Sequence, residues 1–401
     1  MGEPTVPSFI TLRPGHPDFL DLPWGLPLSA WPGNCPRLEE VARGLSRHPV
    51  LFVNYDGALY ALKELPVGVA EKEYGLLLRM QEEGLPCVTP VGHARTATPQ
   101  GKASVLITRY LDRSLPYRSL FMSSALLRYR EHLLDAMAGL MVQLHLAGVF
   151  WGDCSLSNTL FRRDAGALRA YLVDAETSEV HLGRLPPTLR SLDLEIMEEN
   201  VDGDLADLDH AALLAEGVPL SDTGAYIRLR YQNLWEEITC EEVIYPNEHY
   251  RIQERIRALN TLGFSVGEVR LEEGENGNQL RLSVVVTDRN FHRHQLVGLT
   301  GIEAEEMQAR KMMNEIMELK ATLSQQNNRS EPLSVAAYHW LEEIYRPTLQ
   351  LLKPIISPKT DQAELYCQVL EHKWYLSERA QRDVGHPASA LDFLQTTESS
   401  F

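Results

Sequence analysis

The stretch His145-Leu-Ala-Gly-Val-Phe-Trp-Gly-Asp-Cys-Ser-Leu-Ser-Asn-Thr-Leu-Phe161, followed by Tyr171-Leu-Val-Asp-Ala-Glu-Thr177, decides the reading of this chain. Before it lies the strongest helical pattern of the first half, Ala125 to Ala147. Leu133, Leu134, Met137, Leu140, Met141 and Leu144 form its apolar stripe, and Gly148 follows its end. The helix hands over to a loop that carries Asp153 and, five residues later, Asn158. Tyr171 to Val173 is a short apolar run suited to a buried strand, and Asp174 stands at its end. Such a loop can present two side chains to one phosphate. The carboxylate accepts the proton of an attacking hydroxyl, the amide oxygen holds a magnesium ion, and the strand-end carboxylate adds a further oxygen ligand.

The upstream half supplies what such a site still lacks. Leu51-Phe52-Val53 and Ala58 to Lys63 flank Asp56-Gly57, a hairpin signal, because the favoured tight turn needs positive φ. Lys63 ends the second strand, the context of a lysine that steadies the α- and β-phosphates of a nucleotide. Val69 to Glu83 has helical spacing with Gly84 as its stop. Glu73 on that helix is placed to pair with Lys63, and Glu71 is its rival. Val88 to Ala94 and Ser104 to Leu111 read as strands. The second runs into a hinge that places Arg109 and Tyr110 against an adenine. Each element alone is common. Their order (strand lysine, helix glutamate, hinge strand, Asp…Asn loop, strand-end Asp) is that of a protein-kinase-like fold.

The two quoted runs resemble the lipopolysaccharide (Kdo/heptose) kinase-like branch of the protein-kinase superfamily. Leu299 to Arg310 and His372 to Glu378 are similar to a C-terminal domain of unknown function, which one bacterial family joins to such a region. The resemblance covers most of the chain from about Val50. It implies an ATP- and magnesium-dependent phosphotransferase acting on a hydroxyl of a small molecule, glycan or lipid-linked sugar. By position it implies Asp153 as catalytic base, Asn158 and Asp174 as metal ligands, Lys63 as the phosphate lysine and Glu73 as its partner. The chain also departs from the protein-kinase pattern. No GxGxxG precedes the hairpin, and Ala42 to Arg47 holds only Gly44. Trp151-Gly152-Asp153 stands for His-Arg-Asp, Asp174-Ala175-Glu176 for Asp-Phe-Gly, and Ser155 lacks the basic residue that often meets the γ-phosphate.

The expected fold class is therefore α+β: a two-lobed kinase-like unit followed by a mainly α-helical domain with a short β element. Boundaries are expected at 1–36 for a Pro/Gly-punctuated arm, 37–205 for the kinase-like domain (lobes about 37–108 and 112–205) and 206–401 for the second domain. Arg37 to Leu45 reads as a short helix. The acidic run Asp202 to Asp209 reads as a solvated linker at the boundary. Downstream, Ala225–Glu237, Glu248–Leu262, Glu303–Ser324, Ala336–Leu352 and Asp361–Arg379 read as helices, Arg281–Val286 as a strand, and the tail from Asp383 as frayed.

A net charge of −17 over 401 residues argues against nucleic-acid or anionic-membrane partners. No apolar run has the ~18 residues that span a bilayer, and Met1 to Leu22 lacks a signal-peptide pattern. Five scattered cysteines without a CxxC pair suit reduced thiols in the cytoplasm.

Several tempting residues have plain readings. Cys154 is expected as a small buried loop residue rather than a nucleophile. Trp151 is expected to pack between loop and helix rather than stack on a sugar. His292 and His294, which share a face if their segment is a strand, are expected as two half-exposed histidines rather than a metal pair. Arg162 and Arg163 suit an exposed turn as well as an anionic substrate. Glu303–Ser324 is expected to pack on its own domain, with a protein partner or self-association as the alternative. His372-Lys373-Trp374-Tyr375 marks a surface without assigned chemistry. Two rival functions remain open at this stage: a nucleotide-binding pseudokinase that acts through the C-terminal helices, and AMP transfer on the same fold.

Overall fold

The computed structural model describes residues 7–41, 47–99, 101–122, 130–215, 222–244, 248–261, 264–273, 280–358 and 360–398. The chain divides into two units, Met1–Arg162 with Arg169–Trp235, and Arg163–Leu168 with Glu236–Phe401.

The first unit opens with a five-stranded antiparallel sheet in the order β1-β4-β5-β3-β2. Its strands are β1 (Phe9–Leu12), β2 (Val50–Tyr55), β3 (Ala58–Leu65), β4 (Pro90–Thr98) and β5 (Gly101–Arg109), with helix α1 (Val69–Glu82) after β3. The β2–β3 hairpin turns at Asp56 and Gly57, with φ of 53° and 82°. Both central residues are left-handed, as the tight turn requires.

Residues 7–36 are more than the expected arm. β1 pairs with β4, and Phe19, Leu22, Trp24, Leu28 and Trp31 are buried against Val53, Tyr60 and Ile107. Full burial of one such side chain contributes roughly 1.5–3 kcal/mol. The prolines and glycine among them, Pro23, Gly25, Pro27 and Pro32, hid this core from a periodicity reading. The helix expected from Arg37 is also absent over 37–41. Leu38 instead makes an antiparallel bridge to Val53. Residues 42–46 lie outside the described residues.

After β6 (Leu115–Pro116) and α2 (Tyr117–Phe121) comes α3 (Arg130–Leu146), buried nearly all round from Ala136 to His145, which makes it a central helix. The loop bearing Asp153 follows β7 (Val149–Phe150), which pairs with β10 (Glu179–Val180). β8 (Thr159–Asp164) and β9 (Ala167–Leu172) join β6 in a three-stranded sheet. Two helices follow, α4 (Pro187–His210) and α5 (Thr223–Thr239). α4 runs through the acidic stretch expected as a linker. Buried Val201, Leu205 and Leu208 give that stretch an inward face at helical spacing.

The second unit holds a three-stranded sheet, β11 (Glu242–Ile244), β12 (Ser265–Glu273) and β13 (Leu280–Asp288), in the order β11-β13-β12. Its helices are α6 (His249–Thr261), α7 (Phe291–Thr300), α8 (Glu306–Gln326), α9 (Leu333–His339), α10 (Arg346–Leu351), α11 (Gln362–Ala380) and α12 (His386–Glu398). α8 buries Ala309, Met312, Met313 and Ile316 in its own unit's core. The single helix expected over Ala336–Leu352 is broken by a π turn at Trp340–Tyr345. Pro347 lacks an N–H to continue the ladder, and the extra residue absorbs the fault.

The tail does not fray over α12. Ala390 is fully buried, and Phe393 and Leu394 pack on the cluster containing Leu352 and Val369. His292 and His294 lie on α7 rather than a strand, where positions two apart diverge. His292 Nδ1 sits 2.7 Å from Glu306. The turn after Arg163 is not solvated at Asp164, which accepts the Met307 and Gln308 N–H groups at 3.0 and 2.8 Å and so caps α8.

The element order of the first unit, followed by a mainly helical second unit with one small sheet, is the α+β kinase-like arrangement that the sequence predicts. Among the described residues, no helix is long and apolar enough to cross a membrane.

Candidate active site

β3 places Lys63 beneath α1. Its ammonium donates to Glu73 Oε2 at 3.2 Å and to Asp174 Oδ2 at 2.6 Å, and Glu176 Oε2 is 3.5 Å away. Glu73 is fully buried, and its other oxygen accepts the Ala175 N–H at 3.1 Å. One carboxylate thus ties helix α1, strand β3 and the turn after β9 together. Glu71, the rival partner, pairs instead with Arg95 on the surface at 2.5 Å.

The electrostatics follow from three carboxylates sharing one ammonium. Burial and the neighbouring Asp174 carboxylate push the Glu73 carboxyl up to about 7, against the pull of Lys63. Burial alone would lower the pKa of Lys63, but Glu73 and Asp174 outweigh it and hold the ammonium charged.

The Asp153 loop is held from below. Asp193 of α4 is fully buried and accepts four donors: Trp151 N–H at 2.9 Å, Gly152 N–H at 2.8 Å, His145 Nε2 at 3.0 Å and the Cys154 thiol at 3.1 Å. These donors outweigh burial and keep its carboxyl below the usual carboxylate range. Burial lowers the pKa of His145, so the neutral ring donates through Nε2 and accepts the Tyr231 hydroxyl at Nδ1, 2.8 Å away. Gly152 has φ of 78°, and a Cβ there would come within 3.1 Å of the Phe150 ring, so the loop needs glycine at that point. Trp151 is fully buried and donates its indole N–H to Asp174 O at 3.0 Å, a packing role as expected. Cys154 is fully buried, and burial raises its thiol pKa well above the usual range, which leaves it no nucleophilic character.

Asn158 turns its amide nitrogen to Asp153, 3.0 Å from the carbonyl and 3.1 Å from Oδ2. Its backbone oxygen accepts the Val173 N–H at 3.1 Å, which sets Asn158 beside Asp174. Three groups that the sequence reading missed complete the surroundings. Asn200 of α4 donates to Asp153 Oδ1 at 3.2 Å, Asp204 accepts the Ser157 N–H at 3.0 Å, and Arg47 pairs with Asp153. The helical spacing of Val201, Leu205 and Leu208 is the one sequence signal that would have placed Asn200 and Asp204 on a structured face.

A cavity of about 630 Å³ joins these groups. That is the size of an ordinary small-molecule site. Val50, Phe52, Ala61 and Val88 give it an apolar part, and Lys63, Asp153, Asn158 and Asp174 a polar one. Arg109 and Tyr110 also line it. Their N–H groups donate to Thr89 O and Leu59 O at 2.8 and 3.0 Å, so this segment is fixed at the end of β5. Carboxylate oxygens of Glu73, Asp174 and Glu176 lie within 4.8 Å of one another. Hard oxygen donors that outnumber the one ammonium among them suit a divalent cation of the magnesium type.

Residues 57–216 match the model of the Lipopolysaccharide kinase (Kdo/WaaP) family, and residues 233–397 match the Domain of unknown function (DUF4032). No curated protein matches the chain. Among solved structures, "WaaP in complex with acyl carrier protein" is similar at 19% identity and a TM-score of 0.34, covering 57% of this chain and 100% of that one. The chain thus carries a region similar to the lipopolysaccharide kinase (Kdo/WaaP) family, followed by one similar to a domain of unknown function.

Proposed function

We propose that this protein is an ATP- and magnesium-dependent phosphotransferase that phosphorylates a hydroxyl on a small-molecule, glycan or lipid-linked sugar acceptor. The observation that carries this reading is the meeting of Lys63, Glu73 and Asp174 from three separate elements, in the cavity that Asp153 and Asn158 also line. Lys63 would hold the α- and β-phosphates, and Glu73 would keep its ammonium in place. Arg109 and Tyr110 would meet the adenine. Asn158, through its side-chain oxygen, and Asp174 would hold magnesium, which when bound neutralises charge on the transferring phosphoryl group.

Asp153 takes up the acceptor hydroxyl proton as the acceptor oxygen bonds the γ-phosphorus. The bond from that phosphorus to the bridging oxygen breaks, and ADP leaves. Asn158 and Asn200 orient the Asp153 carboxylate from two sides. Most of the rate gain then comes from positioning and charge neutralisation. The free cysteines agree with a reducing cytoplasmic setting. The missing glycine loop favours the pseudokinase reading, in which nucleotide binds without turnover. The complete set of Asp153, Asn158 and Asp174 favours transfer.

The test is ADP formation from ATP with magnesium, measured across neutral hydroxyl acceptors. Asp153→Asn should lower turnover by about 10²–10⁴-fold, the worth of a positioned general base. Undiminished turnover would remove Asp153 from the mechanism.

A further inference from the structure

A glycine loop covers nucleotide phosphates with backbone N–H groups, and the run before β2 offers one glycine. The charge must then be met by side chains. Lys63 is already shared among Glu73, Asp174 and Glu176. Arg109 stands at the end of β5, with its guanidinium 3.4 Å from Asp112 and 5.2 Å from the centre of the Tyr60 ring. Arg47, just before β2, also lines the cavity and pairs with Asp153. The next residue fixes its place. His48 Nε2 lies 3.3 Å from Glu176 Oε2, so the start of β2 sits over the Asp174-Ala175-Glu176 turn.

We propose that Arg47 takes the place of the missing glycine loop, leaving Asp153 when nucleotide arrives and clamping the terminal phosphates. The inference rests on the nucleotide reading above. Its physical basis is a difference in partner strength. The Arg47 side chain is 81% exposed, and an ion pair with an exposed guanidinium is weak. A polyphosphate offers several charged oxygens in the geometry that a guanidinium fork matches. The exchange also uncovers Asp153. With Arg47 gone, its carboxylate keeps the Asn158 and Asn200 amides at 3.1 and 3.2 Å, so it stays oriented while one partner is released for the acceptor hydroxyl.

The test is the affinity of the full chain for ATP and for adenosine, in magnesium, with wild type and Arg47→Ala. The expected result is ATP binding at least about tenfold weaker in the variant, the loss of one charge-assisted hydrogen bond, with adenosine affinity unchanged. Unchanged ATP affinity overturns the inference. An equal loss for ATP and adenosine also overturns it, because the effect would then lie in the pocket and not in the phosphates. A wild type that binds adenosine and ATP equally well refutes a phosphate clamp. One that binds neither refutes the nucleotide reading itself.

Discussion

Asp193 accepts the backbone N–H of Trp151 at 2.9 Å, across 42 residues of chain. The carboxylate also holds Gly152, His145 and Cys154, so the residues flanking Asp153 are set by α4 rather than by their own loop. Asp193→Ala would leave buried donors without an acceptor. The expected cost is about 3–5 kcal/mol of stability, read as a lowered urea midpoint. A change under about 1 kcal/mol would show that the loop holds itself.

Glu73 gives the fold a pH dependence of opposite sign to that of an ordinary ion-paired carboxylate. Its carboxyl titrates near 7 when folded, against 4.5 when free. Between those values the folded chain keeps a proton that the unfolded chain has released, so this group's contribution to stability falls as pH rises through that window. Melting temperatures of wild type and Glu73→Gln from pH 4.5 to 7.5 should converge toward the acid end, with wild type losing ground as pH rises. Parallel curves would contradict the assignment.

The residues of the candidate site were legible where they were local. Asp153 and Asn158 are spaced within one loop, Lys63 lies in β3 two residues before its end, Asp174 follows β9 by two residues, and such positions follow from period and punctuation. Asp193, Asn200 and Asp204 were not legible. They act on that loop from a helix more than thirty residues downstream, in a stretch whose negative charge masked its inward face. The core of residues 7–36 was hidden for a different reason, because Pro23, Gly25, Pro27 and Pro32 interrupt the run that carries Trp24, Leu28 and Trp31, so their spacing could not be taken for a helix. Arg47 carries no pattern at all, and only the fold brings it to Asp153.

The second unit has its own half-buried polar hub. Glu315 of α8 accepts Trp340 Nε1 at 3.1 Å and the Tyr366 hydroxyl at 2.6 Å, and lies 2.8 Å from His386 Nε2 at the start of α12. Burial raises the Glu315 pKa, but His386 and the hydroxyl and indole donors outweigh it and leave it lowered. Glu315→Ala should destabilise the protein by about 3 kcal/mol in urea unfolding. In wild type the group's contribution should be present above its unfolded value of 4.5 and fade as pH falls through the lowered folded value. A variant as stable as wild type would mean the hub is incidental.

Asp174 and Lys63 are proposed to form a metal-dependent nucleotide site. Calorimetric titration of ATP into wild type and Asp174→Ala, with and without magnesium, tests it most directly. Magnesium should tighten ATP binding to wild type, and Asp174→Ala should abolish this gain. ATP binding that ignores magnesium in wild type, or a gain that survives Asp174→Ala in full, would contradict it.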